Sequence, residues 1–172
     1  LHFTESETLP FERLVADMAT ARQRIHVLST LSSGEATAPL VIASVAATAQ
    51  KTIDRLAFES STHTLSRGQT VDPDSMVDQW RRMGYRVEPT VDVPGLVSRR
   101  GGIIDIYPLG ANAPARIELW GDEIDSIRLF DPETQRSTEL VDSVAIIPAQ
   151  ETLPGLTDRD DFDRIGGVAI RY

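Results

Sequence analysis

The stretch that most constrains this 172-residue chain is Ala115-Arg116-Ile117-Glu118-Leu119-Trp120-Gly121-Asp122, followed by Glu123 to Phe130. Polar and apolar side chains alternate with a period of two, a Gly-Asp pair turns the chain, and a second extended run returns. That pattern defines a β-hairpin. Side chains alternate across a strand, so Ile117 and Leu119 face the core while Arg116, Glu118 and Trp120 share the outer face. Arginine and tryptophan side by side on a rigid strand are the residue types that dominate protein-binding hot spots. A loop of the same domain covering Trp120 is the competing reading, and composition leaves the two evenly balanced. Ile124 and Ile127 have opposite parity, which predicts a bulge or a twist in the returning strand.

Other elements surround the hairpin. Thr62 to Leu65 reads as a strand and Arg67-Gly68-Gln69 as a turn. Asp72-Pro73 starts a helix, because Asp72 can cap it and proline suits the first helical position. Met76, Val77, Trp80 and Met83 then share one face, and Gly84 ends the helix. Val87 to Val93 and Gly102 to Tyr107 read as strands with Pro94-Gly95 turning between them, which leaves Arg99 and Arg100 in a loop. Asp131-Pro132-Glu133-Thr134 is another turn, and Val141 to Ile147 a further strand. Asp105 stands among Ile103, Ile104 and Ile106. It is expected to tie down a neighbouring amide or arginine, since a catalytic carboxylate would need a visible partner.

Towards the N-terminus the period lengthens. Phe11, Leu14, Val15, Met18, Ala21, Ile25 and Leu28 form one helical stripe, with Arg13, Asp17, Arg22 and Arg24 elsewhere around it, and Ser32-Ser33-Gly34 stops it. Leu40-Val41-Ile42-Ala43 is a continuous apolar run, the mark of a strand covered on both faces. Ser44 can cap a short helix through about Ile53. Helix, strand, helix is part of a parallel α/β layer with too few strands to complete a sheet. The expected fold class is therefore α+β: an inserted, mainly antiparallel sheet domain with a helix, flanked by an incomplete α/β layer. Residues 1–57 are assigned to the α/β segment, 58–147 to the sheet domain, and 148–172 to a truncated return segment.

Composition narrows the function. Seventeen basic against twenty-six acidic side chains leave a net charge of −9, which opposes whole-surface attraction to nucleic acid or anionic membrane. The absence of cysteine removes disulfides, thiolate metal sites and cysteine nucleophiles together. No apolar run approaches the ~20 residues of a membrane span, and no signal-peptide layout is present, so a cytoplasmic location is expected. Lys51-Thr52 follows Ala49-Gln50 where a phosphate-binding loop requires glycine. His2, His26 and His63 lie in different elements without metal-ligand spacing, and read as surface or packing residues. Ser98 and Ser126 sit in no nucleophile elbow. No catalytic residue, metal or cofactor is expected.

The run Arg100-Gly101-Gly102-Ile103-Ile104-Asp105-Ile106-Tyr107-Pro108 resembles the UvrB-homology, UvrA-interaction region of bacterial transcription-repair coupling factors (Mfd) and of UvrB. So do Ala115 to Arg128 and Phe130-Asp131-Pro132-Glu133-Thr134-Gln135-Arg136, and the likeness extends from about Leu65 to Pro148. Glu7-Thr8-Leu9-Pro10-Phe11 is similar to a coupling-factor motif, and nothing resembles the tyrosine-rich DNA-inserting hairpin of UvrB. The coupling factors are the favoured relatives, with UvrB the alternative.

The resemblance implies a RecA-like flank without a working nucleotide site, and a docking surface for UvrA in nucleotide excision repair. Catalysis would lie outside this chain, in the ATP-dependent DNA translocase of a longer parent. The family's docking residues fall on Arg100, Arg116 and Trp120, with tryptophan where phenylalanine is common, and Leu96-Val97 replaces a more polar pair. A masking domain of the parent is implied as an intramolecular partner, whereas neither nucleic acid nor membrane is. The rival class is an ATP-dependent DNA enzyme acting through these residues, which would need nucleotide binding and a basic groove.

Overall fold

The computed structural model describes residues 1–6, 18–33 and 39–151. In chain order the elements are β1 (His2–Phe3), α1 (Met18–Ser32), β2 (Ile42–Ala43), α2 (Val45–Ala49), α3 (Arg55–Ser61), β3 (His63–Ser66) and α4 (Pro73–Arg82). Then follow β4 (Arg86–Val87), β5 (Leu96–Arg100), β6 (Ile103–Ile106), β7 (Ala115–Trp120), β8 (Glu123–Phe130), β9 (Ser137–Val141) and β10 (Ser143–Ile146).

Strands β4 to β9 form one six-stranded sheet in sequence order. Its pairs are antiparallel apart from the parallel β4–β5 pair. A sheet with one apolar face must bury it against another layer, and α4 supplies that layer. Ile104, Ile117, Ile124 and Ile127 pack in one cluster with Met76, Trp80 and Met83. Strand β10 pairs antiparallel with β3, and main-chain bonds from Gly68 and Val71 to Ile124 and Asp122 carry that pair onto β8.

The local signals for α4 act as anticipated. Pro73 opens the helix, and the Asp72 carboxylate accepts hydrogen bonds from the Ser75 hydroxyl at 2.5 Å and the Asp74 amide at 3.2 Å. Those two bonds hold the Asp72 carboxyl below its ordinary range. Gly84, at φ +98°, turns the chain away at the other end. Trp80 is fully buried and donates its indole N–H to His63 Nε2 at 3.0 Å, which makes His63 a packing residue. The hairpin carries its bulge: Glu118 pairs with Ser126 and Leu119 with Ile124, leaving Asp125 as the extra residue. Ile124 and Ile127 can then both reach 0% exposure.

Several expectations change. Of Val87 to Val93 only Val87, preceded by Arg86, lies in a strand, because the chain leaves the edge of β5 after Glu88 to bury Val91 against Leu96, Tyr107 and Phe130. Arg99 and Arg100 belong to β5, paired with Ile104 and Ile103, and Gly101 at φ +62° makes the tight turn into β6. The segment Val141 to Ile147 holds the end of β9 and all of β10, and β9 is a polar edge strand.

The N-terminal part also differs. Strands β1 and β2 form a parallel pair of two residues each. Leu40 is 79% and Ile42 63% exposed, so the run is not covered on both faces; a two-stranded pair gives β2 a single neighbour. Helix α2 stops at Ala49, and α3 begins anew from the cap Asp54. An α/β layer beyond this pair is not seen among the described residues. Phe11, Leu14, Val15, the Glu7–Phe11 motif and residues 152–172 lie outside the described residues.

Arg24, expected off the apolar stripe, is instead 1% exposed. Its guanidinium pairs with both carboxylate oxygens of Glu151 and donates to the Thr4 carbonyl and to Gln50 Oε1 at 3.1 Å. It also lies 4.0 Å over the Phe3 ring. Burial of a cation is tolerable when its donors are answered in this way.

Tyr85 is buried and donates to the Ile147 carbonyl at 2.8 Å, and burial pushes its phenol well above the ordinary value. The folded state favours the neutral phenol, so this contribution to stability is present below about pH 10 and lost as pH rises further. Denaturant titrations at alkaline pH should show a smaller fall in stability for Tyr85→Phe than for the wild type. Equal falls would show that Tyr85 ionises without unfolding.

Candidate interaction surface

Directly paired residues of neighbouring strands share a face. On the side away from α4, Ser98, Asp105, Arg116 and Arg128 make one row across β5 to β8, and Arg100, Ile103, Glu118 and Ser126 the next. The same register sets Trp120, paired with Glu123, beside the Gly101–Gly102 turn. One end of this outer face is closed by a small apolar cluster of Val91, Leu96, Tyr107 and Phe130. The other end is open.

Asp105 sits where the two ends meet, at 2% exposure. Its carboxylate accepts two bonds from Arg116, from Nε at 2.7 Å and from Nη2 at 2.9 Å, the fork-to-fork arrangement that fixes a guanidinium plane. Arg100 Nη2 adds a third bond at 3.1 Å. Arg116 Nη1 also donates to the Gln135 carbonyl at 3.3 Å, and the guanidinium lies 4.8 Å from the Phe130 ring centroid. The hydrogen bonds that Arg116 donates to Asp105 raise its already high pKa, so this charge is permanent.

The turn after β8 aims that carbonyl. Asp131 accepts from the Thr134 amide at 2.7 Å and from the Thr134 hydroxyl and Glu133 amide at 3.0 Å each, which lowers its pKa. Gln135 follows at φ +60°, and its amide donates to the carbonyls of Pro132 at 2.8 Å and Val91 at 3.2 Å.

The two arginines are held differently. The Arg116 side chain is 17% exposed, with its donors directed inward, whereas Arg100 is 62% exposed with one bond to Asp105. Trp120 is 85% exposed, as strand parity anticipates, and Ile103 is 39% exposed. The structure thus brings Arg100 and Arg116 together on one carboxylate, with Trp120 farther along the same open face. Sequence reasoning singled out Asp105 by its apolar neighbours. It missed Phe130 and Gln135, whose parts depend on a bulge between Leu129 and Phe130 and on a left-handed residue that no short pattern marks. Glu118 was placed on the face but not with its partners: it accepts from the Ser126 hydroxyl at 2.7 Å and lies 3.9 Å from Arg128.

Among the described residues, no group of three acidic or histidine side chains is placed to hold a metal, and no helix is long and apolar enough to cross a membrane. A helix-backed sheet ending in an open face of fixed cations and a bare indole has the build of an interaction domain. The chain belongs to the UvrB interaction domain family, whose model matches residues 64–151. It is 39% identical to the transcription-repair-coupling factor of Bacillus subtilis (strain 168) over 153 residues, 89% of this chain. The corresponding proteins of Myxococcus xanthus and Escherichia coli (strain K12) are 34% and 28% identical over 92% and 88% of it. The chain spans 13% of the length of each of these relatives.

Two measurements check the surface. Asp105→Asn removes the charge that answers both arginines and should lower unfolding free energy by about 2–4 kcal/mol in denaturant titrations, with no loss contradicting the anchor. Trp80 and Trp120 are the only tryptophans, 0% and 85% exposed. Trp120→Phe should therefore leave a blue-shifted emission that acrylamide barely quenches, whereas a quenchable remainder would place Trp80 in solvent.

Proposed function

We propose that this chain is the docking module of a transcription-repair coupling factor, and that it recruits UvrA in nucleotide excision repair through Arg100, Arg116 and Trp120. The observation that carries this reading is the open face itself: a free indole and a largely exposed arginine on a strand pair made rigid by the Asp105 fork. Membership of the UvrB interaction domain family supports the partner, and likeness to transcription-repair-coupling factors supports the repair pathway. Trp120 supplies apolar area for an apolar socket, and Arg100 offers donors to a partner carboxylate. Because Arg116 is already immobilised, little side-chain entropy remains to be lost on binding.

On this reading residues 58–147 form the interaction domain, and the flanking segments belong to a RecA-like layer of the parent. The ATP-driven motor lies elsewhere in that parent, whose own domain masks the face until it is needed. The module itself performs no catalysis, requires no cofactor, and works in the cytoplasm.

Isothermal calorimetry with UvrA tests the proposal. Trp120→Ala and Arg100→Ala should each weaken binding by about 1–3 kcal/mol while leaving unfolding midpoints nearly unchanged. Arg116→Ala would strand the buried Asp105 charge and confuse folding with binding, so Arg116→Lys is the better probe of the fork. Wild-type affinity in both alanine variants would overturn the docking reading.

A further inference from the structure

The outer face does not end at Arg100. A shallow cleft lined by Ser98, Arg99 and Arg100 shares Val87 and Glu88 with a second cleft, lined by Arg81, Arg82 and Arg86. Together they make one groove that runs from the outer face around β4 to the last turn of α4. Five arginines line it against two acidic side chains, Asp78 and Glu88, in a chain whose net charge is −9. Arginines in a last helical turn are ordinary complements to the helix dipole, which accounts for Arg81 and Arg82 alone. Arg86, Arg99 and Arg100 come from two strands, where no helix dipole accounts for them.

Internal pairing neutralises only part of this charge. Arg99 pairs with Asp74, Arg100 with Asp105 at 3.1 Å, and Arg81 with Asp78 at 3.4 Å. Arg82 donates to the Asp78 main-chain carbonyl at 3.3 Å and has no carboxylate partner among the described residues.

The floor of the groove is a sheet edge. The amides of Arg86 and Glu88 donate inward to Gly95 and Val97 at 3.0 and 2.9 Å. Alternation along the strand therefore turns the peptide groups of Val87 outward, and its side chain is 51% exposed. An extended polypeptide laid along this edge would meet a main-chain donor and acceptor, one apolar contact and flanking guanidinium groups. A nucleic-acid duplex offers phosphates to the guanidinium groups but no extended main chain to pair with the edge and no apolar side chain for Val87.

We infer that this groove receives an extended acidic segment of the protein partner whose body docks on Arg100 and Trp120. For the identity of that partner the inference rests on the docking reading, while the groove's preference for acidic peptide stands on its own residues. Two titrations separate them. With UvrA, Arg81→Glu/Arg82→Glu should lose about tenfold or more in affinity and flatten the salt dependence, whereas Trp120→Ala should weaken binding with the salt slope unchanged. Loss in Trp120→Ala with wild-type binding by the arginine variant would overturn the groove and leave the docking reading standing.

The second titration follows the anisotropy of a fluorescein-labelled peptide of alternating Glu and Val, with a peptide of alternating Arg and Val and a duplex oligonucleotide alongside. The acidic peptide should bind saturably, Trp120→Ala should bind it as the wild type does, and Arg81→Glu/Arg82→Glu should not. The neutral pair Arg81→Ala/Arg82→Ala should fall between, with the circular dichroism spectrum of the fold retained in every variant. No saturable peptide binding, or duplex binding that exceeds it and vanishes in the same variants, would refute the inference.

Discussion

A carboxylate sealed into the face of a sheet is the constraint from which the rest of this surface follows. An isolated buried charge costs several kcal/mol, so Asp105 can exist only if cations come to it. Arg116 comes from the following strand as a fork, and Arg100 from the preceding strand as a single arm. Buried ionic clusters of this kind are often no more stabilising than well-packed apolar groups of equal volume. What the cluster provides is geometry: two guanidinium groups from different strands are referred to one fixed point. The apolar patch behind Phe130 and the Asp131 turn close the remaining sides, so that Arg116 has one available position.

The two faces of the sheet divide the labour. The inner face is built from branched aliphatic residues packed on the buried tryptophan of α4, and it determines whether the domain folds. The outer face is graded from a closed apolar end through the Asp105 cluster to the exposed Trp120. Because every strand contributes alternately to both sides, a one-residue slip would invert the whole arrangement. The Asp125 bulge is tolerated because it falls beyond the rows that hold Arg116 and Asp105.

What could be read from the sequence was whatever a short window encodes. The β7–β8 hairpin, its bulge, the capped α4 and the outward Trp120 all follow from periodicity and local capping. The role of Asp105 was legible because an acid among three isoleucines needs a partner. Strand β5 was missed because Leu96-Val97-Ser98-Arg99-Arg100 lacks alternation and follows Pro94-Gly95, and β9 because an exposed edge strand needs no apolar face. Arg24 was misplaced because a helical stripe shows which side chains are apolar, whereas its burial depends on Glu151, which lies 127 positions away. Leu40 and Ile42 look like buried-strand residues, but the number of neighbouring strands is not written in the run itself.

The knot around Arg24 has a mechanical consequence. It gathers Thr4, Gln50 and Glu151 at one point, so the chain departs for the sheet and comes back from it at the same rivet. A lobe hung from two separated tethers can swivel, but one whose entering and leaving segments are clamped together turns with its base. The bearing of Trp120 is thereby tied to the segment that carries Arg24, and a rotation of that base would swing the indole as the tip of a stiff lever.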